Sequence, residues 1–445
     1  MAHLNNNTAS TETDISLLPV SDSSRMPKFA LTMAWWAVCS AMFYIVVGAT
    51  LALNYGARNA IIGMVLSVVS YGLINAVISR YAIRTGSSVA LFSRTLFGTA
   101  GAALATLIFF ATAIYYAVFE GSVIAVAATH VYPALPYKLA ALVIVIYSVL
   151  LIFGSVQHWL DKLNGVLLPF YLLGLLAAVA LATQAYGYNA NWLSFGPAAG
   201  APASGWWDCF VYYMGVWVLM MFTFDYARFG KREDAEYHGR FNFGMPFYLV
   251  TFLLNGVAGI YLVSTIPSDT ALSEVSVVLA LLKLMGVWGL LFVWVTQTRI
   301  NTANYYLATI NMQAFGSKLF RLNLPKVAWA IIVGIVVYLM MLADIFAYLL
   351  QALAYQGVFV VAWVGVALVH ILRDNETNSS VTTTTDQPAF NKVGLSAWFA
   401  GALCGLGLMH ASGVVASFAA PATFLVSATV YYLFALRPQS RLAQD

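Results

Sequence analysis

The sequence predicts an all-α polytopic membrane protein with twelve transmembrane helices. Of its 445 residues, 61% are hydrophobic and only 9% are charged, and the mean hydropathy is +0.81. Soluble domains carry about 25% charged residues. The apolar runs have the length, about 20 residues, that spans a bilayer as a helix, and they lack the alternating pattern of barrel strands. Because every backbone polar group inside a bilayer must be paired, such runs predict helices.

Twelve runs meet this description. They cover 29–53, 59–79, 99–128, 137–155, 163–184, 207–224, 244–265, 284–311, 326–344, 346–371, 394–412 and 417–436. The first 27 residues are rich in Asn, Thr and Ser and lack the basic-then-apolar pattern of a signal peptide. We therefore expect the first span itself to direct membrane insertion.

The positions of the basic residues predict the orientation. If the N terminus is cytoplasmic, Arg58, Lys138 and Lys283 fall outside and Arg299 lies within a span, while the rest of the 21 Lys and Arg residues fall inside. This bias predicts that both termini are cytoplasmic. The compact loops are typical of a protein of the cell (inner) membrane, surrounded by lipid. The inner loops also explain the net charge of +4, so no nucleic-acid partner is expected.

The spans divide into two halves and a final pair. A polar cytoplasmic tail (1–27) precedes spans 1–5 (28–186), an extracytoplasmic loop (187–204), spans 6–10 (205–372), a cytoplasmic linker (373–393), spans 11–12 (394–436) and a cytoplasmic tail (437–445). Because five is odd, the two halves enter the membrane in opposite directions. Halves of equal, odd helix count are typical of inverted-repeat transporters, whose sites lie at mid-depth between discontinuous helices.

The first span of each half contains a candidate break. In span 1 the small residues 37–41 follow Trp35 and Trp36, and in span 6 Gly215 interrupts a bulky run. The alternative is that these small residues only serve close packing between helices.

The eighth span has a polar stripe. Gln297, Asn301, Asn304 and Asn311 share one face of a 3.6-residue helix. Such amides could join neighbouring helices, but four on one face exceed what packing requires, and polar residues at membrane depth usually face a cavity. Amides and aromatic rings together suit a flat ligand with donors and acceptors on its rim. The stripe therefore predicts a substrate site.

The third span carries a carboxylate well inside the predicted membrane depth, Glu120. Such a residue is either a proton relay or ion ligand, or one partner of a buried structural pair.

Enzymatic motifs are absent from the sequence. It contains no H-E-x-x-H and no G-x-S-x-G, its six His are dispersed, and Cys39, Cys209 and Cys404 lack metal-type spacing. We expect no catalytic residues, no metal site and no cofactor.

Three stretches carry a resemblance to a known family. "TGSSVALFSRTLFGTAGA" (85–102) is similar to a Gly-x-x-Phe…Arg-x-x-Phe-Gly…Gly signature, with Val89 where Phe is usual. "DYARFGK" (225–231) is similar to Asp-x-Ser/Thr-Arg-Phe, with Ala227 replacing the hydroxyl residue. Together with the amide-bearing eighth span, these stretches resemble the nucleobase–cation symporters, the family of purine/cytosine, hydantoin and allantoin permeases.

The resemblance implies a leucine-transporter-like fold and a function. A secondary active transporter of this kind imports a nucleobase or related small heterocycle by alternating access, coupled to protons or another cation, Na⁺ included. It implies that Asn304, or else Asn301, contacts the substrate beside Gln297, and that Tyr115 takes the stacking position on span 3. A turn later, where the family has a polar residue, stand Phe119 and then Glu120, and a second aromatic position on span 6 falls at or beside Trp217. In the family, the aromatic residue of helix 6 lies about nine residues before the Asp of the second motif. Counting back from Asp225 gives Val216, so either the register slips by one residue to Trp217 or the stacking face is altered.

The remaining motif residues have a structural or a gating interpretation. Arg94 belongs to the first signature, and Asp225 and Arg228, three residues apart, could pair or cap the end of span 6 or close an inner gate. We favour the structural interpretation.

Sodium-coupled members of the family hold the ion between carbonyls of the broken first helix and hydroxyls of helix 8. The corresponding region here contains Ala37 and Ser40, but Arg299 falls near one hydroxyl position. A fixed guanidinium opposes binding of a second cation. Our hypothesis is that Arg299 replaces the ion and bridges helix 8 to helix 1, with coupling to protons through Glu120 or no coupling. If the family pattern were aligned two residues away on helix 8, Thr298 or Thr302 would instead occupy the position of the ion-binding hydroxyl.

One alternative has the same fold. An amino-acid or amine transporter would need an aromatic box or a carboxylate, which Glu120 could supply. Since a fold does not decide chemistry, the 85–102 signature is what favours the heterocycle.

Overall fold

The computed structural model describes residues 18–153, 155–343, 345–377 and 387–435, and these form an all-α membrane protein. Eight helices in these ranges are long and apolar enough to cross a membrane, and one bent pair would make nine. Shorter apolar helices, such as Tyr137–Leu151 and Lys326–Met341, occupy further predicted spans. Each of the twelve predicted spans coincides with a helix or a broken helix, although twelve crossings remain a prediction.

The first half contains seven α-helices. They are α1 (Lys28–Trp36), α2 (Phe43–Tyr55), α3 (Ala57–Thr85), α4 (Val89–Phe97), α5 (Ala103–Val131), α6 (Tyr137–Leu151) and α7 (Ser155–Tyr186). A glycine with positive φ follows four of them: Gly56 after α2 (φ +91°), Gly86 after α3 (φ +66°), Gly98 after α4 (φ +87°) and Gly187 after α7 (φ +81°). These left-handed conformations are readily adopted by glycine and stop the helices there.

The second half and the C-terminal pair contain the other long helices. They are α8 (Gly205–Met214), α9 (Val218–Ala227), α10 (Asn255–Thr265), α11 (Ser276–Met285), α12 (Val287–Leu319), α13 (Lys326–Met341), α14 (Leu349–Thr377), α15 (Lys392–Met409) and α16 (Ala419–Ala435). A short helix, Met245–Tyr248, and a π-helical segment, Leu249–Leu254, lead into α10.

Both predicted breaks are confirmed. Ala37–Ser40 form a 3₁₀ segment between α1 and α2, and the span bends there by 41°. Gly215–Trp217 form a second 3₁₀ segment between α8 and α9. Gly215 also serves close packing, because a Cβ placed there would lie 2.3 Å from the carbonyl oxygen of Leu353. The break and the packing interpretation therefore both apply to this glycine.

Two glycines bring α2 and α10 into backbone contact. A Cβ placed on Gly48 would lie only 2.3 Å from Cα of Gly256. Small residues at membrane helix crossings permit such approaches, and dispersion contacts between the backbones then hold the helices together.

One end of the bundle carries Arg25, Arg80, Arg84 and Arg228 and is called the basic face. Here the N-terminal segment meets the ends of α3 and α9. Arg25 donates from Nη1 to the carbonyl oxygens of Ile83, at 2.9 Å, and Gly230. The amide of Met26 donates to the carbonyl oxygen of Phe229 at 2.7 Å. The segment before α1 is thereby fixed across two loops.

The glycine-rich turn of the 85–102 signature binds the segment that leads into α15. Ala100 N donates to the carbonyl oxygen of Ala389, and Asn391 N donates to that of Phe97, both at 2.8 Å. A Cβ on Gly98 would lie 2.7 Å from the oxygen of Ala389. This part of the signature has a structural role, since it attaches the C-terminal pair to the first half.

Candidate functional site

A cavity lies between the two broken spans and helices α5 and α12. It is lined mostly by aromatic and aliphatic side chains, with one carboxyl and one amide: Trp35, Val38, Ala41, Phe43, Tyr44, Tyr116, Glu120, Leu219, Phe222, Tyr226, Ile300, Ala303, Asn304 and Leu307. Elements from both halves of the chain contribute, as expected for a site between inverted repeats.

Three polar atoms of the cavity lining are buried and have no hydrogen-bond partner within the part of the chain that the structure describes. They are Oε2 of Glu120, Nδ2 of Asn304 and Nε1 of Trp35. Glu120 is 1% exposed and Asn304 is 7% exposed. A buried polar atom without a partner costs about 1–3 kcal/mol, so a hydrogen bond from a ligand or water to any of these atoms is favoured.

The cavity wall supplies aromatic surface beside these atoms. The rings of Phe43 and Tyr116 are 5.0 Å apart and inclined by 71°, which is an edge-to-face contact. Tyr116 is held by Gln356, whose Nε2 donates to the phenolic oxygen at 3.2 Å. Fixed rings of this kind present flat apolar surface to a ligand while its rim reaches the polar atoms.

On α5, the cavity is lined by Tyr116 and Glu120, one position after the predicted pair Tyr115 and Phe119. Tyr115 instead borders a separate groove with Thr112 and Gln356. Phe119 is fully buried and packs edge-on against Phe43, with ring centroids 5.2 Å apart. Neighbouring residues in a helix point about 100° apart around its axis. Tyr115 and Phe119 therefore face a different direction from Tyr116 and Glu120.

On the second broken span, Trp217 does not line the cavity. It is buried against Tyr71 and Phe424, with ring centroids 6.2 Å and 5.8 Å away. Leu219 and Phe222 line the cavity in its place. The 3₁₀ segment at 215–217 explains the difference, because three residues per turn instead of 3.6 changes which residues face inward beyond it.

Three amides of the α12 stripe, Gln297, Asn301 and Asn304, lie in three different environments. Only Asn304 lines the cavity. Gln297 accepts from the backbone N–H of Met42 at 3.3 Å, and Asn301 donates from Nδ2 to Oγ of Ser148 at 3.3 Å. The site interpretation therefore fits Asn304, whereas the interhelical interpretation fits Gln297 and Asn301.

Arg299 lies beside the first break. Its Nη1 donates to the carbonyl oxygen of Ala37 at 2.8 Å, and the hydroxyl of Ser40 donates to the same oxygen at 2.8 Å. The structure thus brings the three residues of the predicted cation region together, with the guanidinium bridging α12 to the end of α1.

The motif residues Asp225, Arg228 and Arg94 differ in their contacts. Asp225 accepts from the backbone N–H of Val89 at 3.1 Å and so caps the start of α4. Arg228 is not among the ion pairs of the described residues, and its guanidinium carbon lies 4.8 Å from the centre of the Phe229 ring. Burial lowers the pKa of the Arg228 guanidinium, and the nearby Asp225 carboxylate partly offsets this. Burial also lowers the pKa of Arg94, whose Nε has no partner among the described groups.

The sequence did not indicate Trp35 and Tyr116, which line the cavity, or Asn255, which contacts the first break, as site residues. Asn255 donates from Nδ2 to the carbonyl oxygen of Cys39 at 2.9 Å and accepts from the hydroxyl of Tyr171 at 2.9 Å. A lone amide inside the apolar span 244–265 was the available signal, since such residues usually serve a hydrogen bond between helices.

Comparison of the sequence with known proteins gives no match: no family model matches it, and no curated protein matches it. Comparison of the structure gives several. The inward-facing conformation of Mhp1 aligns with a TM-score of 0.76 at 13% identity, covering 98% of this chain and 95% of that chain.

Two further solved structures agree. Mhp1, a nucleobase-cation-symport-1 family transporter, in a closed conformation with bromovinylhydantoin bound, gives a TM-score of 0.71 at 13% identity and 94% coverage of both chains. A Na⁺-coupled sialic acid symporter in a substrate-bound outward-open state gives 0.52 at 11% identity, covering 93% of this chain and 90% of that chain. These likenesses confirm the predicted fold class and show that this multi-pass membrane protein shares the fold of such transporters.

Proposed function

We propose that this protein is a secondary transporter that carries a small planar nitrogen heterocycle, of the nucleobase or hydantoin type, by alternating access. The cavity between the broken spans is the proposed substrate site. Tyr116 and Phe43 supply its aromatic surface, and Glu120 and Asn304 supply its polar contacts.

The observation that carries this proposal is the set of three buried polar atoms without partners. Asn304 Nδ2 and Trp35 Nε1 are donors, so they require acceptors on the ligand, whereas Glu120 Oε2 accepts from a ligand N–H when ionised. A ring carrying carbonyl oxygens next to N–H groups meets all three requirements. The edge-to-face ring pair at the wall favours a flat molecule.

A second candidate substrate is an amine or amino acid. A carboxylate among aromatic rings also suits an ammonium group, and Glu120 is the only carboxyl among the residues that line this cavity. Asn304 and the indole N–H of Trp35 count against a simple amine, which offers them no acceptor. An amino acid does offer a carboxylate to these donors, so the binding panel below separates that case.

We also propose that the protein lies in a bacterial inner membrane with the basic face toward the cytoplasm. The distribution of Lys and Arg supports this orientation.

Substrate-induced thermal stabilisation of the purified protein tests the substrate class. The panel contains purines, pyrimidines, hydantoins and allantoin on one side, and amines and amino acids on the other. We expect stabilisation by members of the first group only. Stabilisation confined to the second group would contradict the proposal and favour the amine carrier.

Two asparagines of α12 provide a matched pair of variants. Asn304→Ala removes the cavity amide and should weaken binding of the stabilising compound about tenfold, since one hydrogen bond in a dry site is lost. Asn311→Ala removes an amide that donates to its own helix, to the carbonyl oxygen of Leu307 at 2.9 Å, and should leave the affinity unchanged. Equal effects of both substitutions would place the substrate elsewhere.

A further inference from the structure

The first break has its exposed carbonyl groups bound by side chains of the protein itself. The oxygen of Ala37 accepts from both Arg299 and Ser40, each at 2.8 Å. The oxygen of Cys39 accepts from Nδ2 of Asn255 at 2.9 Å. One of these donors, the guanidinium of Arg299, carries a permanent positive charge.

The position of that charge is electrostatically favourable. Carbonyl groups at the C-terminal end of a helix carry partial negative charge, and α1 ends at this 3₁₀ segment. In secondary transporters, unwound carbonyls and the C-terminal ends of half-helices are also the groups that coordinate Na⁺ or H⁺. Arg299 on α12 therefore places a positive charge at the break, where other secondary transporters place a bound ion.

Two hydroxyl groups of α12 lie close to Arg299 in sequence. Thr298 Oγ1 lies 3.1 Å from the hydroxyl of Tyr147, and Thr302 Oγ1 donates to the carbonyl oxygen of Thr298 at 2.8 Å. A sodium ion at the break would have to approach the fixed guanidinium of Arg299, against Coulomb repulsion.

We propose that Arg299 is a tethered cation that takes the coupling-ion position at the first break, so that neither the stability of the fold nor substrate binding requires Na⁺. The guanidinium joins α12 to the end of α1 in place of an exchangeable ion. The part of this proposal that concerns substrate rests on the proposed function, whereas the part that concerns stability does not.

Thermal unfolding of the substrate-free protein tests the stability part. Tm is measured in sodium chloride and in choline chloride of equal ionic strength, so that screening is constant. The wild-type Tm should be the same in both salts. Arg299→Ala should lower Tm in choline and regain part of the loss in sodium, while Arg299→Lys should keep a Tm that is independent of sodium.

The matched control is Arg84→Ala. Arg84 is half-exposed and pairs with Asp374 at 3.0 Å, away from the break. Its removal should not create a dependence of Tm on sodium. A wild-type Tm that rises specifically in sodium, or an Arg299→Ala variant that is insensitive to sodium and as stable as wild type, would overturn the proposal.

The substrate part is tested with the compound that stabilises the wild type most. Its affinity and its uptake into proteoliposomes should be equal in sodium and choline for wild type and for Arg299→Lys. Strict dependence of wild-type uptake on sodium overturns the tethered-cation proposal while leaving the transport proposal intact. If no compound of the panel binds, the transport proposal fails instead, and the Tm comparison still decides the role of Arg299.

Discussion

Asn255 on α10 donates a hydrogen bond of 2.9 Å to the carbonyl oxygen of Cys39, inside the first break. The same side chain accepts from the hydroxyl of Tyr171 on α7 at 2.9 Å and donates to the carbonyl oxygen of Thr251 at 3.1 Å. A single buried amide thus joins the 3₁₀ segment to two other helices. The shape of the break depends on groups far away in sequence as much as on its own small residues.

We therefore expect Asn255→Ala to destabilise the protein by about 1–2 kcal/mol, because the carbonyl of Cys39 and the hydroxyl of Tyr171 lose their partner in a dry environment. The measurement is Tm in detergent. The control is Asn54→Ala, since Asn54 is exposed and donates only to its own helix, to Thr50 at 2.8 Å. A Tm of Asn255→Ala equal to that of the control would show that the break does not need this bond.

Glu120→Gln tests proton coupling. The amide is close in shape to the carboxyl and still bonds a ligand, but it cannot take up or release a proton. We expect wild-type proteoliposomes to move protons together with substrate, and Glu120→Gln to bind substrate without proton movement. A pH-sensitive dye inside the vesicles reports this.

The control for this measurement is Glu274→Gln, in the turn before α11, which should behave as wild type. Undiminished proton movement in Glu120→Gln would exclude Glu120 as the coupling carboxyl, and absence of movement in wild type would indicate uncoupled transport.

The attachment of the C-terminal pair is tested at Gly98. Alanine there must adopt φ +87° and place Cβ 2.7 Å from the carbonyl oxygen of Ala389. We expect Gly98→Ala to destabilise the protein by more than the roughly 1–2 kcal/mol that a left-handed conformation alone costs, and so to lower Tm. Gly407→Ala is the matched control, because a Cβ in that helix meets nothing within 4 Å, and helix propensity favours alanine. An equal response of the two variants would contradict the docking role of the signature.

Much of the fold could be predicted from composition and small residues. Long apolar runs predict helices whatever they pack against, and both breaks were recognisable because glycine or a run of small residues interrupts bulky side chains. The stripe on α12 was also recognisable, since it follows from helical periodicity alone.

The cavity residues were harder to predict, for geometric reasons. On α5, the predicted positions Tyr115 and Phe119 each lie one residue before Tyr116 and Glu120, which line the cavity. On the second broken span, Trp217 lies in the 3₁₀ segment before α9 and is not among the residues that line the cavity. Which amide of α12 meets a ligand is decided by neighbours, such as Ser148 on α6, whose contacts a single sequence does not reveal. Asn304, the predicted substrate contact, lines the cavity, and its role stays a prediction.

The contact between Gly48 and Gly256 limits how this molecule can change shape. Since no side chains separate the two backbones at this contact, α2 and α10 cannot tilt closer together there without collision. We expect this pair of helices, one from each half of the chain, to move together. Opening and closing of the cavity would then displace the pair relative to α5 and α12, which carry Glu120 and Asn304.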